Sequence, residues 1–293
     1  MNLEFEPIQL DNQQEYLKLL EKCTQKSSDY SFSNLFGWGQ EYGLSWAWQD
    51  GLVWIKQTRP DACCWAPIGH WESVDWVDVF EKKCEKGFQF TRIPEKLADI
   101  WRETLQDRIH IEEERGNWDY LYDINELIEL KGNRFHKKKN LLNQFIRKYE
   151  YQYIPFGPEV IEPAMAMQAD WCNWRNCESS EVLSAENRSV HKILTHWNEL
   201  GGLDGGVILV EDIIVAYTIA EKLSADTIVI HYEKGCPDYK GVYQAINQMF
   251  LAHLSGDHKW VNREQDLGEE GLRQAKLSYN PVGFLKKYRV IVG

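Results

Sequence analysis

Three consecutive β-strand patterns in the second half of the chain constrain its fold most strongly. They cover residues 205–210, 213–222 and 227–233, each rich in β-branched residues, and Glu211-Asp212 forms the first turn. An amphipathic helix follows at residues 241–254, with its apolar side chains spaced to share one face: Val242, Ala245, Ile246, Met249 and Phe250. The pattern therefore predicts three strands followed directly by a helix.

The remainder of the second half adds helices and short strands around this centre. Residues 125–149 form a helical stretch with a break at Gly132, followed by a strand at 151–155 and helices at 158–177 and 184–200. A short strand at 260–262, a helix at 269–277 and a last strand at 288–291 complete the order.

The first half follows a similar order, although no residue-level repeat is visible. Strand patterns at 44–48 and 52–57 are joined by Asp50-Gly51, which is a strong hairpin signal. A helix at 12–23, helices near 73–80 and 94–105, and further strands at 62–67, 87–93, 109–114 and 118–122 accompany this hairpin. A length of 293 residues suits two domains, and we predict them at 1–124 and 125–293. The predicted class is α/β (α+β), with mixed sheets flanked by helices.

Charge and hydropathy limit the partners. A formal net charge of -12 argues against a protein that coats nucleic acid or an anionic membrane with its whole surface. The N-terminus lacks the pattern of a signal peptide, and Glu211 and Asp212 interrupt the most apolar stretch, 206–220. We expect a cytoplasmic protein without membrane insertion.

Cysteine and histidine spacing gives no sign of a metal site. The seven cysteines include no C-x-x-C pair, so the sequence favours reduced, mostly buried thiols. The pairs His191/His196 and His253/His258 are five residues apart, which misses the one-turn spacing of a helical metal pair. We predict no metal.

Two segments resemble a known family. The first is residues 120–140, with the run Tyr120-Leu121-Tyr122-Asp123-Ile124-Asn125-Glu126-Leu127, then Lys131-Gly132-Asn133-Arg134-Phe135-His136-Lys137-Lys138-Lys139-Asn140. The second is residues 262–281, with the run Asn262-Arg263-Glu264-Gln265-Asp266-Leu267-Gly268, then Gly271-Leu272-Arg273-Gln274-Ala275-Lys276-Leu277-Ser278-Tyr279-Asn280-Pro281. Together they resemble the soluble branch of the phosphatidylglycerol lysyltransferase C-terminal-domain family. The resemblance implies a tandem duplicated GNAT-like (acyl-CoA N-acyltransferase) fold, related to the Fem-type aminoacyltransferases.

The resemblance also implies an activity. Characterised relatives transfer an aminoacyl group from aminoacyl-tRNA to a lipid or a peptidoglycan precursor, and here a soluble small-molecule or peptide acceptor is expected. Transfer needs a base and a donor for the developing oxyanion. Candidate bases in the second half are Glu233, Glu264 and Asp266, and Tyr279 is a candidate acid. We expect the oxyanion donors to be backbone N–H groups where strands 213–222 and 227–233 separate. A structural cluster of salt bridges is the alternative for these acids.

The acyl donor is open between two classes. The GNAT pyrophosphate pattern is Arg or Gln, two residues, Gly, one residue, then Gly or Ala; Gly241 matches it, whereas Asp238 and Tyr243 depart from it. A plain helix start is the alternative. If acyl-CoA or another anionic donor binds here, the donor-binding candidates are Lys240, Gly241, Tyr243, Arg273 and Lys276.

A basic run favours aminoacyl-tRNA as the other donor. Residues 131–148 contain seven Lys or Arg and no acid, and a candidate phosphate or tRNA patch comprises Arg134, Lys137, Lys138 and Lys139. A solvated helix face is the alternative. Three functions stay open: an aminoacyl- or acyltransferase, a conventional acetyl-CoA-dependent N-acetyltransferase, and a non-catalytic ligand- or RNA-binding protein that retains the fold.

Overall fold

The computed structural model describes residues 3–293, which divide into two compact units. The first comprises the described residues up to Asp119, Gln265–Glu270 and Phe284–Gly293, and the second comprises Tyr120–Glu264 and Gly271–Gly283. The first change of unit falls close to the predicted boundary at 124/125. The two later segments of the first unit were not anticipated from the sequence.

The first unit is built on an eight-stranded sheet. Its strands are β1 (Glu6–Pro7), β2 (Ser45–Gln49), β3 (Leu52–Gln57), β4 (Cys63–Trp65), β5 (Ile68–Gly69), β6 (Gln89–Pro94), β7 (Ile109–Glu113) and β15 (Lys287–Val292). Their order is β1-β2-β3-β4-β6-β15-β7, with β5 paired to β3. The helices are α1 (Gln13–Leu20), α2 (Phe32–Gly37), α3 (Gly39–Tyr42), α4 (Trp76–Lys83) and α5 (Glu95–Leu105). The hairpin at Asp50-Gly51 is confirmed, and both of its residues have positive φ.

The final strand of the chain corrects one prediction. The sequence pattern at 288–291 was expected to complete the second domain, but β15 lies between β6 and β7 in the first sheet. A four-residue strand pattern indicates which side chains are buried and carries no information about which strands flank it.

The second unit contains a seven-stranded sheet. Its strands are β8 (Asp119–Asp123), β9 (Tyr151–Pro155), β10 (Leu203–Val210), β11 (Ile213–Lys222), β12 (Thr227–Gly235), β13 (Trp260–Asn262) and β14 (Gly283–Leu285). Their order is β14-β8-β13-β12-β11-β10-β9, and the predicted antiparallel run of three strands is β10-β11-β12. The helices are α6 (Ile124–Glu129), α7 (His136–Lys148), α8 (Pro158–Arg175), α9 (Glu181–Thr195), α10 (Val242–His253) and α11 (Glu270–Leu277).

Helices cover both faces of the second sheet. On one face, α7 and α10 bury Phe145, Val242 and Ile246 against Ile208 and Val215, and each such side chain stabilises the core by about 1.5–3 kcal/mol. On the other face, the contacts from α8 and α9 include polar ones. The Tyr217 hydroxyl donates a hydrogen bond to Oε1 of Gln168 on α8. The hydroxyls of Ser189 on α9 and Tyr232 form a hydrogen bond of 2.8 Å.

The predicted break in the 125–149 helix is present. Asp123 caps α6 by accepting from the Glu126 amide, and Leu130 ends that helix with a φ of 46°. Gly132, with a φ of 84°, then turns the chain before α7 begins.

Two further features bear on earlier expectations. Cys172 and Cys177 form a disulfide in the second unit, so the prediction that these two thiols are reduced is wrong. Their Cα atoms lie 5.0 Å apart because α8 ends between them at Asn176 in a left-handed turn, a closeness that linear spacing does not reveal. Across residues 3–293, no helix is both long and apolar enough to cross a membrane.

Candidate active site

A gap opens in the second sheet between β12 and β13. The two parallel strands pair only from Thr227↔Trp260 to Val229↔Asn262. Just beyond this pairing, the β11–β12 register passes from Ile230 to Tyr232 and leaves His231 as an extra residue. Such a β-bulge bends its strand. β12 then continues along β11 to Gly235, while β13 ends at Asn262.

The position of this gap corrects a prediction. Strands 213–222 and 227–233 were predicted to separate, but β11 and β12 are paired from Ala216↔Gly235 to Lys222↔Ile228. Both strands have strong β patterns, and the bulge that diverts β12 involves a single residue. The separation therefore falls on the far side of β12, towards β13.

Glu233 and Arg263 face each other across the gap. Arg263 directly follows β13, and its Nη2 atom forms an ion pair with Oε2 of Glu233 near the end of β12. The second oxygen of Glu233, Oε1, and the second terminal nitrogen of Arg263, Nη1, are buried and have no hydrogen-bond partner among the described residues. An unused acceptor and an unused donor thus lie at the same place.

Two cationic side chains pack against the ring of Tyr279. Its hydroxyl accepts a hydrogen bond from Gln244 on α10 at 3.0 Å, and burial raises the pKa of that hydroxyl. The Lys138 ammonium lies 3.9 Å from the centre of its ring and the Arg263 guanidinium 4.7 Å. Both distances are those of cation–π contacts. Lys276 also belongs here, because its ammonium donates to the carbonyl oxygen of Arg263.

The predicted basic patch divides into residues with different surroundings. Lys138 turns inward to Tyr279, and burial, assisted by the nearby Arg263, lowers its pKa to about 8. Lys137 and Lys139 are exposed on α7. Arg134 is also exposed and forms an ion pair with Glu126. Of the four predicted residues, the structure brings Lys138 to Glu233 and Arg263.

The other two predicted bases lie elsewhere. Glu264 binds Nδ1 of the buried His231 at 2.7 Å, and Glu221 binds Nε2 of the same ring at 3.2 Å. Burial alone would lower the pKa of His231, but the two carboxylates outweigh it and raise that pKa to about 9. Asp266 belongs to the first unit, where it is fully buried, binds Arg115 at 3.1 Å and accepts from the Gly268 amide at 2.9 Å. These contacts are those of a residue that stabilises a loop.

Three of the predicted donor residues, Lys240, Gly241 and Tyr243, lie at the start of α10. Gly241 precedes α10 with a φ of 89°, and a Cβ atom there would lie 2.8 Å from the carbonyl carbon of Leu141 on α7 and closer still to its oxygen. The backbone of α7 therefore fills the space beside this glycine. Lys240 is exposed, and the Tyr243 hydroxyl accepts from the Trp171 indole at 3.1 Å. Arg273 lies on α11 and is half-exposed.

Sequence reasoning missed Arg263 and His231. Arg263 stood inside the quoted motif, but the neighbouring acids drew attention because they are the usual bases. His231 interrupts an otherwise apolar and aromatic strand, 227–232, and a lone histidine there is equally compatible with a satisfied core position. Both residues could have been found by asking which charged residues of one buried strand have a partner of opposite charge at the end of a neighbouring strand.

A family model that matches nearly the whole chain identifies the family. The family model described as "Phosphatidylglycerol lysyltransferase, C-terminal" matches residues 21–291. The chain belongs to this family. The predicted membership is confirmed, and both quoted motifs lie inside the matched range.

Solved structures confirm the family fold. A conserved protein of unknown function from Bacteroides thetaiotaomicron is 30% identical, with a TM-score of 0.90 over 99% of this chain and 100% of that chain. L-PGS from Bacillus licheniformis is 12% identical, with a TM-score of 0.65 over 98% and 93% of the two chains. FemX is 7% identical, with a TM-score of 0.59 over 98% and 97%. The chain has the tandem GNAT-like fold, with two mixed sheets flanked by helices, that is related to aminoacyltransferases.

Proposed function

We propose that this chain transfers an aminoacyl or acyl group to a soluble small-molecule or peptide acceptor at the gap between β12 and β13. The observation that supports this proposal is that Glu233 Oε1 and Arg263 Nη1, on two residues that form an ion pair, are both buried without a hydrogen-bond partner. Roughly 90% or more of buried polar groups have a hydrogen-bond partner, so an unused acceptor beside an unused donor calls for an explanation, and a ligand that offers both a donor and an acceptor supplies one. A reactive carbonyl approached by an amine or hydroxyl has this character.

The chemistry assigns a role to each group. Glu233 removes the proton of the attacking amine, and Arg263 Nη1 donates to the carbonyl oxygen as it becomes negative. The new bond joins the amine nitrogen to the acyl carbon, and the bond from that carbon to the leaving oxygen breaks. Lys138 returns a proton to the leaving oxygen. Its pKa of about 8 suits this step better than that of Tyr279, which burial raises.

Two features favour aminoacyl-tRNA over acyl-CoA as the donor. The α7 backbone fills the space beside Gly241 and leaves little room for a pyrophosphate, and Asp238 would repel one. The exposed Lys137 and Lys139 lie on either side of Lys138 on α7, where they are available to RNA phosphates. Aminoacyl-tRNA is loaded with its amino acid in the cytoplasm, where we place the protein, and therefore fits this arrangement.

Label transfer tests the proposal. The protein is incubated with tRNA charged with radioactive amino acids, or with radioactive acetyl-CoA, and with the small-molecule fraction of a cell extract. We expect label to leave tRNA and appear in an acid-stable small product. Arg263→Gln should lower the rate about 10²–10³-fold, as loss of an oxyanion donor does. Arg263→Lys, which keeps the charge but loses the fork of donors, should be intermediate.

The controls separate the alternatives. Lys82→Ala removes an exposed lysine of α4 in the first unit and should stay within a few-fold of the wild type. Transfer from acetyl-CoA alone would establish a conventional N-acetyltransferase. Tight tRNA binding without any transfer would establish a non-catalytic RNA-binding protein.

A further inference from the structure

Side chains bridge β12 and β13 beyond the point where their backbones stop pairing. Glu233 reaches Arg263, and His231 reaches Glu264, so two successive residues after β13 each hold a residue of β12. We propose that His231 and Glu264 form a positioning clamp that fixes Arg263 opposite Glu233. The clamp deepens the proposed function and rests on it for its catalytic consequence.

The histidine ring connects three elements. Its side chain is fully buried, with Nδ1 at 2.7 Å from Glu264 and Nε2 at 3.2 Å from Glu221 on β11. His231 is itself the bulged residue of β12. The ring therefore joins β11, the bulge and the segment after β13, which are the parts that define the gap.

The segment after β13 has a conformation that requires support. Glu264 has a φ of 56°, a left-handed conformation that is unfavourable for residues other than glycine. Backbone bonds hold it in part, since the Arg263 amide donates to the Tyr120 carbonyl at 3.0 Å and the Glu264 amide to Asn262 Oδ1 at 2.8 Å. The bond from the Glu264 carboxylate to His231 adds the attachment to β12. Such conformations persist where surrounding contacts over-determine them.

Near neutral pH, the positive charge of His231 strengthens its hydrogen bonds to Glu221 and Glu264. Glu221 from β11 and Glu264 from the segment after β13 face the imidazole ring, and together they hold its pKa at about 9. The ring is therefore a cation with an ionic hydrogen bond on each nitrogen, and such bonds are about twice as strong as neutral ones. The Glu264 carboxylate is engaged in one of them. This assigns Glu264 a positioning role instead of the general-base role considered from the sequence.

Four variants test the clamp. Glu264→Ala removes one end of it at a side chain that is 21% exposed, so the variant should fold. His231→Gln removes the central cation, and the double variant removes both. Glu264→Gln keeps an oxygen that accepts from Nδ1. Glu129→Ala, which removes a surface carboxylate paired with Lys131, is the matched control.

The first readout does not depend on activity. Arg263 contributes to the lowered pKa of Lys138, so release of Arg263 should raise that pKa above about 8, measured by NMR titration of isotope-labelled lysine side chains. We expect the rise in Glu264→Ala and His231→Gln and not in Glu129→Ala. An unchanged Lys138 pKa in both clamp variants would overturn the proposal.

The second readout is transfer. Glu264→Ala and His231→Gln should each lower kcat about tenfold with little change in KM, and the double variant should be no worse than either, because both changes release one contact. Glu264→Gln should stay within about threefold of the wild type. A loss in Glu264→Gln as large as in Glu264→Ala would make Glu264 a base and refute the clamp. If the wild type transfers nothing while the Lys138 pKa shifts as expected, the proposed function fails and the structural clamp stands.

Discussion

Three glycines of the second unit allow the packing at the start of α10 to be measured. Gly241 has a φ of 89° and the α7 backbone against it, Gly202 has a φ of 81° with no atom closer than Glu221 Cγ at 4.0 Å, and Gly271 is helical with open space around it. Alanine at Gly202 should cost about 1–2 kcal/mol, because only the positive φ is penalised. Alanine at Gly241 adds an overpacking cost of about 1–3 kcal/mol, for a total of about 2–5 kcal/mol. Alanine at Gly271 should stabilise by about 0.5–1 kcal/mol.

The assay is amide hydrogen exchange in β11 as a function of urea concentration. Because the central residues of β11 are buried, their exchange reports the free energy of unfolding of the second unit. The difference between Gly241→Ala and Gly202→Ala isolates the contact with α7. If the two variants differ by less than about 0.5 kcal/mol, an alanine methyl group fits beside Leu141. The α7 backbone would then not exclude a pyrophosphate from that place.

Two further predictions concern buried charges. In the first unit, Lys287 is fully buried between Asp29 and Asp119, so Lys287→Met should destabilise by about 3–5 kcal/mol in calorimetry; a loss below about 1 kcal/mol would contradict this. The pKa of His231 rises from 6.5 to about 9 on folding, so its contribution to stability is fully present below pH 6.5 and is lost as the pH rises through about 9. Unfolding free energies measured across that range should fall in the wild type and fall less in His231→Gln, and parallel slopes would refute this.

Local pattern was sufficient for most of the elements. The hairpin at Asp50-Gly51, the strands β10, β11 and β12, and the helix α10 all lie where the periodicity predicted them. These elements are determined by neighbours in sequence, such as turn residues with positive φ and apolar residues at helical spacing. The family motifs added the tandem arrangement.

The parts that failed depend on residues that are distant in sequence. Neither the place of β15 in the first sheet nor the disulfide of Cys172 with Cys177 follows from local pattern. At the site, Glu233 and Tyr279 were named from the sequence, but their common partner, Arg263, becomes apparent only when β13 ends beside β12. One bulged residue, His231, decides which side of β12 opens.

The place of β15 has a consequence for how the chain is made. During synthesis, β6 and β7 leave the ribosome about two hundred residues before the strand that separates them. Until then each presents an unpaired edge, the kind of surface that recruits chaperones or aggregates. Closure of the first sheet must await the synthesis of β15, so we expect slow maturation of the first unit. A fragment cut at residue 124 should not reach a native state.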